Sequence, residues 1–244
     1  MKPPHKLYEY HVKNLRSIET AIEQVARTIR KAISTSNDKI IFSYNRLYAF
    51  LIGAWAECRL QKLLYEPNSF NDNDRQKIYA KSQQINKWKY TVKIAFRERY
   101  QVPRAALSED TLHHSEFSRY ITIMDMLEKD LRSIIEVRNK LAHGQWIYPL
   151  NSDNNDIAQK QMNTLKSENL LSLQYKKQLI THLADIIHDL IVSKPAFERD
   201  FNNHYKYIIN TRRNLRTRNY EKYLWQMESK FERGKIKRQN SLEN

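Results

Sequence analysis

Three glycines in 244 residues, Gly53, Gly144 and Gly234, limit what this chain can fold into more than any other feature. Dinucleotide-binding and phosphate-cradling loops need glycines a few residues apart, as does the strand–turn–helix elbow of serine hydrolases. None of these can be written with glycines so widely spaced. A many-stranded β fold needs turn formers at short intervals, and only six prolines supplement the glycines. Helices are the remaining solution. Hydrophobic residues make up 41% of the chain, enough for a core. A single cysteine, Cys58, excludes an intrachain disulfide and multi-cysteine zinc sites. The opening residues carry no apolar leader. The longest non-polar run, Leu47 to Ala56, is ten residues, about half of a membrane span. A cytoplasmic protein with no membrane partner is the expectation.

Apolar spacing predicts the helices. Leu15, Ile18, Ile22, Val25, Ile29 and Ile33 form one stripe on a first helix, about residues 6–33. A break at residues 34–38 supplies caps for a second, about 39–65, apolar nearly all round and therefore central. A third is expected from about 72 to 100, closed by Gln101-Val102-Pro103. A fourth spans about 115–143, closed by Gly144. A polar, Asn-rich stretch follows, then a fifth helix at about 170–192 with Pro195 as its stop. The fold class is all-α, an antiparallel helical bundle over residues 1–195.

Residues 196–244 read as a separate basic, aromatic-rich helical extension. The net charge is +15, and from His204 onward eleven Lys/Arg stand against four Glu. Such a charge calls for an anionic partner, by default nucleic acid. Fifteen tyrosines favour single-stranded RNA, whose bases stack on aromatic rings. Arg212, Arg213, Arg216 and Arg218 are the expected backbone contacts, with Lys140 on the fourth helix.

Chemistry concentrates at residues 137–144. The stripe Leu127, Leu131, Ile134, Arg138, Leu141 places an arginine at a core position. A guanidinium is costly to bury without an anion or open water, so a carboxylate or a cleft should face it. Asn139 and His143 are four apart and share a face, whereas Arg138 and His143 lie ~140° apart on a regular helix. Gly144 suits a left-handed cap that ends the helix and frees His143. Taken singly, Arg138 reads as one half of a buried Arg–Glu pair and His143 as a helix-end histidine. Together with Asn139 they read as a site. Glu57, on the stripe Leu47, Phe50, Ala54, Glu57, Gln61, is the candidate partner from the second helix. No metal set is expected, because His182 and His188 point ~120° apart on the fifth helix.

The segment Arg138-Asn139-x-x-x-His143 resembles the R-x4–6-H motif of HEPN domains. These are helical-bundle domains of bacterial toxins, abortive-infection systems, RNase L-type enzymes and RNA-guided ribonucleases. The order of helices over roughly residues 39–192 is similar too. The resemblance implies a metal-independent endoribonuclease without cofactor, in which the 2′-OH attacks the adjacent phosphate and leaves 2′,3′-cyclic phosphate and 5′-OH ends. It implies His143 for proton transfer, Arg138 for the phosphate, Asn139 and Glu57 in support, and a homodimer that joins two motifs in one site. It also implies a role as toxin or antiviral defence effector, with an antitoxin or regulatory protein as partner. One toxin subfamily carries tyrosine two residues after the motif histidine. Here that residue is Gln145, with Tyr148 further on, so control by tyrosine AMPylation is not expected. The alternative class is a non-catalytic helical module that binds RNA or a protein.

Overall fold

The computed structural model describes residues 4–102 and 105–241, so Pro103 and the first three residues lie outside it. Its elements are α1 (Pro4–Ser34), α2 (Asp38–Leu64), α3 (Asp72–Tyr79), α4 (Gln84–Arg99), α5 (His114–Met126), a π-helical turn (Leu127–Leu131), α6 (Arg132–Ala142), α7 (Gln159–Ser167), α8 (Leu170–Val192), α9 (Lys194–Thr217) and α10 (Tyr220–Asn240). Among the described residues the only β pairing is a single bridge between Leu150 and Ile157. The protein is all-α.

Capping sets several boundaries. The Asn37 side chain accepts from the Ile40 N–H at 3.1 Å and starts α2, and Asn71 accepts from Asp74 at 2.9 Å to start α3. α2 packs against α1, α4, α6 and α8 and is the central helix. Tyr48, Ile52, Trp55, Ala56, Leu60 and Leu64 are all at most 3% exposed.

The third expected helix is two. Ile78 and Ile85 are both buried and seven apart, so periodicity alone fits one continuous helix. The chain instead turns at residues 80–83, where neither glycine nor proline stands. Buried Arg75 donates to the carbonyls of Leu64 and Phe70 and to Asp72, and its guanidinium stacks on Tyr65. This pins α3 across the end of α2, while α4 sends Trp88, Val92 and Phe96 into the core.

The fourth expected helix is continuous in path but contains the π-helical turn. Leu127 and Leu131, the residues bounding it, are both fully buried. Such one-turn insertions shift the phase of everything that follows.

The expected boundary at residue 195 is not where the bundle ends. Pro195 lies in the first turn of α9, a position that tolerates proline, and the helix is capped by Ser193. α9 turns back along α8, and its Phe197, Phe201 and Ile208 join the one hydrophobic core. Only α10 fits the description of an added extension. It lies against α1 and buries no residue fully.

Candidate functional site at the end of α6

The helix α6 ends as Gly144 leads one to expect. Gly144 has φ +75°, the left-handed conformation. The Gly144 N–H donates to the Leu141 carbonyl at 3.1 Å, and the Gln145 N–H reaches back to that of Lys140 at 3.0 Å. This is the paired bonding of a Schellman cap. His143 is the cap residue itself, solvent-exposed, with φ −90° and ψ 18°.

One turn earlier, Arg138 meets α2 at Gly53. A Cβ built on Gly53 would stand 2.4 Å from the Arg138 Cβ, 2.7 Å from its Cγ and 3.3 Å from the Ile134 carbonyl. Only a residue without a side chain lets the two helices come this close. Glu57, one turn along α2 from Gly53, takes the other end of the arginine: its carboxylate accepts from the Arg138 guanidinium. The same guanidinium donates to Asn139 Oδ1 at 3.1 Å. Burial raises the Glu57 carboxyl above its ordinary value, and the nearby charges of Arg138 and Lys87 offset only part of that.

Arg138, Glu57 and Asn139 border a cleft of about 390 Å³, together with Gln84, Lys87, Arg132 and Glu136. Three buried donors on this lining, Arg138 Nε, Gln84 Nε2 and Arg132 Nε, have no hydrogen-bond partner among the described residues, although Arg132 is ion-paired with Glu128. Buried polar groups are rarely left so, and unmet N–H donors next to Lys87 suit an anionic acceptor. The lining sets the cations of Lys87, Arg132 and Arg138 beside the carboxylates of Glu57 and Glu136. His143 is not among the residues lining the cleft, and its ring makes no hydrogen bond or ion pair among the described residues. The structure therefore brings together Arg138, Asn139 and Glu57, and leaves His143 free at the helix end beside exposed Ile147 and Tyr148.

The expected RNA contacts divide. Lys140 donates to the Leu150 carbonyl and ties down the loop after α6. Arg212 grips Asp130 of the π-helical turn with Nε at 3.0 Å and Nη2 at 2.6 Å, so its charge is already matched. It clamps α9 to the π-helical turn, a role the sequence did not suggest. Arg213, Arg216 and Arg218 are exposed. Cys58 is half-buried, and burial pushes its thiol up, away from reactivity.

Sequence reasoning missed Gly53, Gln84 and Lys87. Gly53 had a readable signal, since a glycine inside an apolar helix costs about 1 kcal/mol and usually marks a close approach. Gln84 and Lys87 had none, because their place depends on the turn between α3 and α4. It also missed a convergent histidine pair. His182 and His188 do diverge along α8, but His204 of α9 lies opposite His182.

No protein-family model, curated protein or solved structure matches this chain.

Proposed function

We propose that the protein is a metal-independent endoribonuclease of the HEPN type, active as a homodimer. The observation that supports this best is the cleft at Arg138, where the arginine stem packs on Gly53 and the guanidinium, paired with Glu57 and Asn139, lines the cleft with N–H donors beside Lys87. Such donors suit the non-bridging oxygens of a phosphodiester and the charge that grows on them during 2′-OH attack. The imidazole of His143, exposed and unpaired, moves the proton. Glu57 and Asn139 act as positioning residues for Arg138. One chain supplies one Arg and one His, so two α6 ends, joined across a dimer, make one site with both an acid and a base. Defence against phage or toxicity to the host is the setting for such an activity, with an antitoxin or regulatory protein as the partner that restrains it.

A second reading has one observation in its favour: the Glu57–Arg138 pair accounts for the arginine without chemistry, as a clasp between α2 and α6. In that reading the protein binds RNA and does not cut it.

Incubation of the purified chain with RNA in EDTA separates the two. The first reading expects cleavage with 2′,3′-cyclic phosphate and 5′-OH ends. His143→Ala and Arg138→Ala are each expected to lower it at least about 100-fold, the scale on which acid–base and charge-stabilising groups act. His143→Ala should keep the melting temperature, since His143 is exposed at the helix end. Heterodimers of wild type with His143→Ala should be less active than wild type. Unchanged cleavage in His143→Ala overturns the proposal, and intact RNA in all samples favours the second reading.

A further inference from the structure

α8 and α9 run side by side, and their contact puts His182 and His204 face to face, Nδ1 to Nδ1, at 3.4 Å. That distance is long for a hydrogen bond through N–H, which runs about 2.7–3.2 Å. It matches the edge of a tetrahedron around Zn²⁺, where nitrogens about 2.0–2.1 Å from the metal stand about 3.3–3.4 Å apart. Asp185, one turn from His182, completes a group whose ligand-capable atoms lie within 4.8 Å of one another, and no other such group occurs among the described residues.

The surroundings favour a cation between the rings. Asp189 Oδ2 lies 3.7 Å from His204 Nε2, on the side away from His182. A carboxylate on the far nitrogen is the usual outer support of a metal-bound histidine. His182 is stacked flat on Tyr207, ring centroids 4.9 Å apart and planes 8° from parallel, which fixes its orientation. A divalent cation placed between the two Nδ1 ring nitrogens would bridge their separation. Asp185 Oδ1 accepts from Arg59 Nη2 at 2.6 Å, which leaves Oδ2 for another partner.

We propose that His182, Asp185 and His204 bind one divalent transition metal of the Zn²⁺ class, which fastens α9 to α8. Two imidazoles and a carboxylate are a donor set suited to Zn²⁺, with a fourth position for water. The site shares no residue with the lining of the Arg138 cleft and does not depend on the activity proposed for it.

Calorimetric titration of the chelator-stripped full chain with Zn²⁺ tests this, with melting followed by circular dichroism. One Zn²⁺ per chain should bind with a dissociation constant in the micromolar range or tighter, and the melting temperature should rise. Co²⁺ in its place should give the visible absorption of a tetrahedral nitrogen–oxygen site. His182→Ala and His204→Ala should keep the helical signal of the metal-free chain and lose the saturable event. Asp189→Asn should weaken it about 10- to 100-fold. If Zn²⁺ leaves the melting temperature unmoved, the rings share a proton and the proposal fails. It also fails if either alanine variant binds as tightly as wild type.

Discussion

Gly53 is the residue on which the Arg138 site turns. Replacing glycine by alanine inside a helix ordinarily stabilises it by about 1 kcal/mol. Here the new methyl would sit 2.4 Å from the Arg138 Cβ. A Cβ is fixed to its backbone, so no rotamer change relieves the contact, and α2 and α6 must part. Overpacking of this kind costs about 1–3 kcal/mol or more, enough to outweigh the propensity gain. Gly53→Ala is therefore expected to be net destabilising in urea denaturation and to loosen the Glu57–Arg138 pair. A neutral or stabilising result would mean that the helices are less closely apposed than this. The 4-3-4-3 spacing put the arginine at a core position; it stands at the cleft edge instead, with its side chain 25% exposed and paired with Glu57, while Val137 takes the core. That the partner would be reached by passing over a glycine was not legible, because the three residues meet only when α6 crosses α2.

At the scale of elements, the π-helical turn and α9 explain each other. The turn presents Asp130 toward α9, where Arg212 holds it with two donors; the side chains are 10% and 20% exposed. Exposed pairs contribute about 0–1 kcal/mol, and breaking a buried one costs about 3–5. This pair lies between, so Arg212→Ala should cost about 2 kcal/mol in chemical denaturation and leave the salt dependence of RNA binding unchanged. Arg213→Ala is the contrast. Its side chain is exposed, so stability should move by less than about 0.5 kcal/mol. If it touches phosphate, the log–log salt slope should fall by about 0.7. Should Arg212→Ala flatten the slope while leaving stability alone, Arg212 would be an RNA contact and not a clamp. From the sequence the four arginines looked alike, because charge and spacing say nothing of which one finds an acid on another helix.

On the scale of the whole molecule, the basic surplus is distributed over two different structures. α9 is core, so a cut at residue 204 would remove Ile208 and expose α8. α10 is the dispensable part: six Lys/Arg and three Glu on a helix with no buried residue, its Tyr223, Leu224 and Met227 only half-buried against the bundle. A chain ending at Arg218 should melt within about 6 °C of the full protein, given about 2–4 °C per kcal/mol for a chain of this size. It should bind RNA more weakly. If three of the six bases touch phosphate, the salt slope should drop by about 2. A large fall in melting temperature with an unchanged slope would make α10 structural as well.

Features under short-range control could be read from the chain alone. Glycine scarcity excluded strands and phosphate loops. Apolar periodicity and Asn, Ser and Gly caps set most helix ends, including the stop at Gly144 and the whole of α8, because a cap acts on backbone groups three or four residues away. Only the tertiary structure decided the turn between α3 and α4, the π-helical turn, the docking of α9 and the two residue clusters. Glu57 and Arg138 are 81 positions apart, and His182 and His204 face each other across a helical hairpin. Such meetings depend on how whole helices pack, and packing is set by the summed fit of many side chains rather than by any local pattern.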